Sequence, residues 1–479
     1  MGSAANSVGD GPGGDTAATG GAGGTGGTGE TGVTGGSPAA GGSAGTGATG
    51  AAGTTGATGE VAGSAGAAGA PALLPLEGEP CAGYTLIGSP ENDAGPDYDA
   101  SLIDMDGNEV HRWTITGFPP KMLPGGSLVG CVGVFPSSYD CIEMVQVSWE
   151  GEVEWSFDAW AELAQGQTAS RHHHDFQREG NPVGYYAPGR EFADEGRTLI
   201  LAHNRVTVPE IREGELDDDV IYEVDWQGVP TGFEWHGVDH IAEFGFDAAA
   251  LQDIRTRSTP RLEWLHGNAV SRLGPNRWYD AGRQEFHPDN LIYSSRRANF
   301  IVIISSATGE VVWRVGPDFE GRPEAGMGQF MGQHLPHMIP AGLPGAGNIL
   351  VFDNGTNAGY GNPSGNRNWS RVVEFDPTTF ELVWEYGSAT GSDSFNSPIL
   401  SGAQRLPNGN TLITVGVKGR VMEVAVDGEL VWEYQYQANS SGPNPAWVYR
   451  AYRLPPEWLP LGENEARGNY ASWQSLFER

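Results

Sequence analysis

Six stretches of the chain share one pattern, a polar or glycine turn followed by a β-rich segment that ends at a tryptophan. They read Asp106-Gly-Asn-Glu-Val-His-Arg-Trp113, Glu150-Gly-Glu-Val-Glu-Trp155, Gln227-Gly-Val-Pro-Thr-Gly-Phe-Glu-Trp235, Thr308-Gly-Glu-Val-Val-Trp313, Thr379-Phe-Glu-Leu-Val-Trp384 and Asp427-Gly-Glu-Leu-Val-Trp432. Successive tryptophans stand 42, 80, 78, 71 and 48 residues apart. A four-stranded propeller blade takes ~40–50 residues, so the short gaps are single blades and the long ones are blades with loop insertions. A second repeat precedes several of them: Leu123-Pro-Gly-Gly-Ser, Leu406-Pro-Asn-Gly-Asn and the looser Leu343-Pro-Gly-Ala-Gly-Asn, each a tight turn entering an apolar strand such as Asn348-Ile-Leu-Val-Phe. The pattern predicts an all-β chain folded as a six-bladed β-propeller. Trp447–Leu454 is left over as a lone strand, and pairing it with N-terminal strands around Tyr84 and Ser101 would close the ring and remove open sheet edges. The tryptophans are expected to pack between neighbouring blades. Helical periodicity is scarce, with one or two turns expected at Asp158–Ala164. Two packed β-sandwiches would leave six matching turns unexplained.

The first 72 residues break from this pattern. They contain no Lys, Arg, His, Trp, Tyr or Phe and are dominated by Gly, Ala, Thr and Ser. Too little apolar side chain is present to offset the entropy of ordering them. Glycine recurs every third residue over short runs (Gly26 to Gly35, Gly47 to Gly59), but proline is nearly absent and the register breaks, so a disordered tether is favoured over a triple helix. The expected organisation is therefore a low-complexity disordered tether over residues 1–72 and a six-bladed catalytic propeller over 73–479.

Charge narrows the partners. There are 27 basic residues against 60 acidic ones, a net charge of −33, and only two lysines, Lys121 and Lys418. Such a surface repels phosphate backbones and anionic membranes, so no nucleic acid is expected as a partner. No apolar run is long enough to span a bilayer. Three cysteines are too few for a disulfide scaffold, but Cys131 and Cys141 can bridge in an oxidising compartment. Met1-Gly-Ser-Ala-Ala-Asn lacks the pattern of a signal peptide. The tether and the bridge nevertheless favour a periplasmic, cell-surface or secreted location.

The histidines mark the candidate chemistry. Ten of 11 lie between His172 and His337, in the middle three blades. The clusters are Arg171-His-His-His-Asp-Phe176, Trp264-Leu-His-Gly-Asn268, Ser294-Ser-Arg-Arg297, and Gly332-Gln-His-Leu-Pro-His337 with Val351-Phe-Asp-Asn354. Three of them fall at the expected first strand of a blade. Innermost strands converge on the central channel, so these side chains should meet at its mouth. By strand alternation His266 and Asn268 share a face, His172 and His174 oppose His173, and only one of His334 and His337 turns inward unless Pro336 breaks the strand. His174 rather than His173 is expected to face the channel.

The segments Trp-Leu-His266-Gly-Asn268-Ala-Val, Tyr-Ser-Ser-Arg296, His-His-Asp175 and Gly-Gln-His334 resemble those of bacterial arylsulfate sulfotransferases, in motif order and blade position, from about Ala82 to Pro460. The resemblance implies a six-bladed propeller that moves a sulfuryl group from an aryl sulfate to a phenol, with no nucleotide or other cofactor. It implies His334 as nucleophile, passing through a sulfohistidine, and His266 as general acid and base. Arg296, Asn268 and His174 would hold the sulfuryl oxygens, and His173, His337 and Asn354 would stand against the substrate. Asp353 is expected to fix the tautomer of a nearby histidine, and no metal is expected. The residue types suit the reaction. A neutral imidazole is a competent nucleophile, and a guanidinium fork matches sulfate oxygens. The residues alone leave three rivals open: a quinone-cofactor propeller, a metal-dependent hydrolase with His173, His174, His266 and His334 as ligands, and a secreted binding propeller.

Overall fold

The structure is a computed structural model. It describes residues 78–461 apart from 90–99, 136–139, 164–165, 182, 190–192, 194, 258–261, 319–321, 357, 362–364 and 438–445. The expected tether over 1–72 lies outside the described residues. Six four-stranded antiparallel sheets account for nearly all of the strands, as a six-bladed propeller. The second blade runs Thr116–Met122, Leu128–Val134, Cys141–Val147 and Val153–Phe157; the third His172–Arg178, Thr198–Thr207, Glu215–Val224 and Pro230–His236. The fourth comprises Gly267–Arg272, Leu291–Ser295, Phe300–Ile304 and Val311–Val315; the fifth His334–Met338, Ile349–Asp353, Arg371–Phe375 and Leu382–Tyr386; the sixth Gly402–Arg405, Thr411–Val415, Arg420–Val424 and Leu430–Gln435. The first blade is composite. Arg450–Leu454 forms its innermost strand and pairs with Tyr84–Gly88 in the register Tyr84↔Leu454 to Gly88↔Arg450. Ala100–Ile103 and Glu109–Trp113 complete it.

The repeated turns and tryptophans are two halves of one contact. The indole of each outer strand donates to a carbonyl in the turn of the next blade: Trp113 to Ser148, Trp235 to Gly309, Trp313 to Pro377 and Trp384 to Val426. Trp432 donates to Met105 and so joins the last blade to the first. In the remaining unit Trp155 stacks on Trp226 instead. A second tie lies deeper. Arg272, Arg405 and Arg453 on inner strands pair with Glu223, Glu374 and Glu423 on the third strand of the preceding blade. In the same place Arg178 donates to Gln146. Between these polar ties the strands bury aliphatic side chains such as Ile292, Ile303, Leu350, Val373 and Ile413, all at most 1% exposed. Full burial of each contributes roughly 1.5–3 kcal/mol.

Two local expectations are corrected. Residues 161–162 are extended and pair with Thr168–Ala169, so Asp158–Ala164 carries no helical turn among its described residues. A helix does form at Ala248–Thr256, where Asp247 accepts from the Ala250 amide as an N-cap; its mixed composition hid it. Cys131 and Cys141 are joined as a disulfide, and Cys81 is free and buried. No described helix is long and apolar enough to cross a membrane.

Candidate active site

The inner strands of the third, fourth and fifth blades all begin irregularly. Register slips between His172 and Phe176, between Gly267 and Ala269, and between His334 and His337. His174, His266 and Leu335 have φ of 59°, 53° and 48°, a left-handed conformation that costs a non-glycine residue energy. Bulges of this kind re-aim side chains next to functional sites. Here all three slips fall at the histidine-bearing segments.

His174 and His266 meet with ring centroids 4.6 Å apart. The His334 ring lies close enough that each of the other two bears on its proton affinity or has its own altered by it. Thirty residues separate His266 from Arg296, yet Gly267 pairs with Ser295, and the Arg296 amide donates to the His266 carbonyl at 3.1 Å. The insertion between them, with helical turns at Arg277–Asp280 and Gln284–Phe286, follows the far end of the inner strand. Gly267 is required by close approach: an added Cβ would stand 2.7 Å from the Tyr293 ring and 3.0 Å from Asp219 Oδ2.

The hydrogen bonds decide the tautomers. His334 Nδ1 faces two acceptors, the Gly332 carbonyl at 2.9 Å and Asn354 Oδ1 at 2.7 Å. The Asn354 amide is fixed in that sense because its Nδ2 donates to the carbonyls of Ser397 and Leu400. The Nδ1 atom must therefore carry the proton, leaving a lone pair on Nε2. Burial, and then the Arg296 guanidinium, hold His334 well below the ordinary imidazole range, so it is neutral at pH 7. His266 donates from Nδ1 to Glu263, which turns its Nε2 lone pair outward as well. Burial pulls the proton affinity of His266 down, Glu263 raises it, and Arg296 and Arg297 lower it; the net direction is down. His174 is likewise depressed, by burial and by the neighbouring histidines.

Asn268 is fully buried and donates from Nδ2 to the Gln333 carbonyl at 2.7 Å, while its Oδ1 has no partner among the described residues. Behind it, Arg450 from the closing strand binds the Asn268 carbonyl and lies 3.2 Å from Asp175. Asp175 also takes Lys121 at 2.7 Å.

Other expected roles do not match the contacts. His173 is 1% exposed, stacks on His203 with centroids 3.7 Å apart, and touches His174 through Nδ1 at 2.9 Å. His337 donates from Nδ1 to the Leu335 carbonyl while Nε2 accepts from the Tyr185 hydroxyl at 2.7 Å. Both of its nitrogens are occupied. Asn354 holds His334 and has no donor left for a ligand. Asp353 touches no histidine. It receives the Met331 amide, Arg367 and Arg371.

Sequence reasoning missed Glu263, His203 and the run Asp217-Asp218-Asp219. Glu263 adjoins a quoted motif, and a parallel bridge to Asp217 places it. The three aspartates look like a solvated charge run, but all are at most 1% exposed. Asp217 takes Arg205, Asp218 takes the Trp264 indole, and Asp219 takes the Gly267 amide and the Tyr293 hydroxyl. Burial opposes charge on His203, but Asp140 and then Asp219 outweigh it and push its pKa up to about 9.

His174, His266 and His334 are thus three imidazoles held below their ordinary range, and the Arg296 guanidinium bears on two of them, His266 and His334. No curated protein matches the chain. Solved structures similar to it include a protein of unknown function from Bacteroides caccae (TM-score 0.41, 10% identity, covering 78% of this chain and 99% of that one). Others are a catalytically inactive virginiamycin B lyase from Staphylococcus aureus (0.34, 10%, 77% and 88%) and apo AztD from Citrobacter koseri (0.31, 10%, 78% and 98%). The family model described as Arylsulfotransferase (ASST) matches residues 190–437, more than half of the 479 residues and inclusive of His266, Arg296 and His334, and the chain belongs to that family.

Proposed function

We propose that the protein transfers a sulfuryl group from an aryl sulfate to a phenolic acceptor through a sulfohistidine at His334. The observation that carries this reading is the tautomer of His334: Nδ1 is committed to Asn354 and Gly332, so Nε2 carries the lone pair of a neutral ring, and burial and the Arg296 guanidinium keep that ring unprotonated. In the first half-reaction Nε2 attacks sulfur, the N–S bond forms as the ester S–O bond breaks, and the aryl oxide leaves with a proton from Nε2 of His266, which enters this step as the imidazolium that the Glu263 carboxylate favours and leaves it neutral. In the second, the phenol oxygen attacks sulfur, its proton passes to His266, and the N–S bond breaks. Arg296 lies against three equatorial oxygens that carry the charge in both steps, a contact whose loss typically costs ~10²–10³ in rate. Asn268 and His174 add neutral donors. The Cys131–Cys141 bridge supports an exported location, periplasmic or at the cell surface.

Brief exposure of the protein to an aryl sulfate without acceptor, followed by mass spectrometry, is expected to show one sulfuryl group on His334. His334→Ala is expected to abolish both adduct and turnover. A His334→Ala protein that still forms the adduct would overturn the assignment, as would steady-state kinetics requiring donor and acceptor to be bound together.

A further inference from the structure

Next to Arg296 stands a second guanidinium that the transfer reaction does not use. Arg297 lies in the same turn, between the second and third strands of the fourth blade. Its backbone is fastened there, the amide donating to the Leu265 carbonyl at 3.1 Å and the carbonyl accepting from the Gly359 amide at 2.9 Å. Its side chain is held differently. It is only 17% exposed, and its buried Nε has no hydrogen-bond partner among the described residues. The carboxylate paired with it, Glu263, stands 3.7 Å from Nη2, and the same Oε2 atom already takes the proton of His266 Nδ1. A guanidinium carries five N–H donors, and holding them largely out of water without acceptors is costly, so this one calls for an anion. The surroundings add to that demand. Arg297 bears on His266 together with Arg296, and on the Tyr360 hydroxyl together with Arg257 and Arg212. Asp253 pairs with Arg257, and Glu263 serves His266. Positive charge is concentrated here in a chain whose net charge is −33, a distribution that draws anions to one place against the field of the rest of the molecule.

We infer, on the sulfuryl-transfer reading of the site, that Arg297 binds a second anionic group on the aromatic ring of the substrate, a carboxylate or a further sulfate, while Arg296 holds the sulfuryl group that moves. The two adjacent guanidinium groups divide the work. Arg296 bears on His334 and His266, the two imidazoles assigned to the transfer. Arg297 bears on His266 and on its partner Glu263, and not on His334. A planar carboxylate matches the guanidinium fork and gains charge-assisted hydrogen bonds, whereas a neutral ring leaves Arg297 unsatisfied. Arg297 is therefore a specificity residue and not a catalytic one: it favours acidic aromatic donors and acceptors over neutral ones of the same shape. Because donor and acceptor occupy the site in turn, the preference applies to both.

The test compares two donors of one shape, 4-carboxyphenyl sulfate and 4-carbamoylphenyl sulfate, on the full chain. The wild type is expected to have the lower KM for the carboxylate. Arg297→Gln should lower kcat/KM for the carboxylate by ~10–100-fold, the worth of a charge-assisted hydrogen bond, and leave that for the carboxamide nearly unchanged. Taking the ratio of variant to wild type for each donor cancels their difference as leaving groups. Arg297→Lys should restore part of the preference, since a point charge replaces a fork; if Arg297→Gln does not fold, Arg297→Lys carries the comparison. Binding is read separately by calorimetry in His334→Ala, where the carboxylate should bind more tightly than the carboxamide and the added Arg297→Gln change should erase the difference. A wild type that does not distinguish the two donors would overturn the inference. So would equal losses for both donors in Arg297→Gln, which would leave Arg297 as a support for Glu263 alone. Protein that turns over neither donor, yet binds the carboxylate selectively through Arg297, would keep the anion subsite and count against sulfuryl transfer.

Discussion

At the scale of single residues, the site works by assigning each imidazole one proton position. Glu263 is the clearest case, because its carboxylate is the group that raises the proton affinity of His266 against burial and two guanidinium groups. Glu263→Gln keeps the size and removes that charge. His266 should then hold a proton less well, and turnover of aryl sulfates with high-pKa leaving groups should fall, by up to the ~10²–10⁴ that proton transfer supplies. Donors whose phenol is acidic need no proton and should change little. Equal loss for both donor types, measured as kcat/KM across a leaving-group series, would assign Glu263 a structural role only. His337 makes a second prediction, on stability. Burial holds its pKa down to about 4. The unfolded chain takes a proton near pH 6.5 that the folded chain refuses, so the stability is full above pH 6.5 and declines as pH falls towards 4. The size is roughly 3 kcal/mol. Denaturation midpoints taken from pH 7 to pH 4.5 should fall for the wild type and fall less for His337→Gln; parallel curves would show that His337 is not the group responsible.

At the scale of strands and turns, regular features were legible in the sequence and irregular ones were not. The turn and tryptophan repeat identifies six blades because every blade needs the same contact, an indole donated to the next turn, and the same contact selects the same residues. The histidine clusters were legible because they stand at the start of inner strands. Which way each ring points was not. Alternation sets His172 and His174 against His173, but the slip between His172 and Phe176 and the positive φ of His174 cancel that parity. The same happens at Leu335, where the slip takes His334 and His337 out of strict alternation. Two extra residues between His172 and Phe176, and one between His334 and His337, take the side chains within each slip out of strict alternation, and no residue type in these segments announces it. The third-blade cluster is hidden for another reason: His203 and Asp219 become neighbours only through strand pairing, and three adjacent aspartates look like surface until the fold buries them.

At the scale of the whole molecule, closing the ring and building the site are one event. The closing strand Arg450–Leu454 carries two buried arginines that face different tasks. Arg453 ties Glu423 at 3.0 Å and binds Thr85 at 3.0 Å, holding the first blade to the sixth. Arg450 reaches across the channel to Asp175 and to the carbonyl of Asn268, in the third and fourth blades. Removing one partner from a buried pair typically costs ~3–5 kcal/mol, so Arg450→Met and Arg453→Met should both lower the unfolding midpoint. Their effects on turnover should part. Arg453→Met leaves the mouth of the channel untouched, and the folded fraction should keep the wild-type kcat. Arg450→Met releases the carbonyl of Asn268, whose amide is held by the Gln333 carbonyl beside His334, and should lower kcat in protein that is still folded. Lys121 continues to neutralise Asp175 in that variant, so the site loses an anchor without gaining an isolated charge. Equal kcat for the two variants, corrected for folded fraction, would mean that the closing strand supports the ring alone and that the site is positioned by the third, fourth and fifth blades without it.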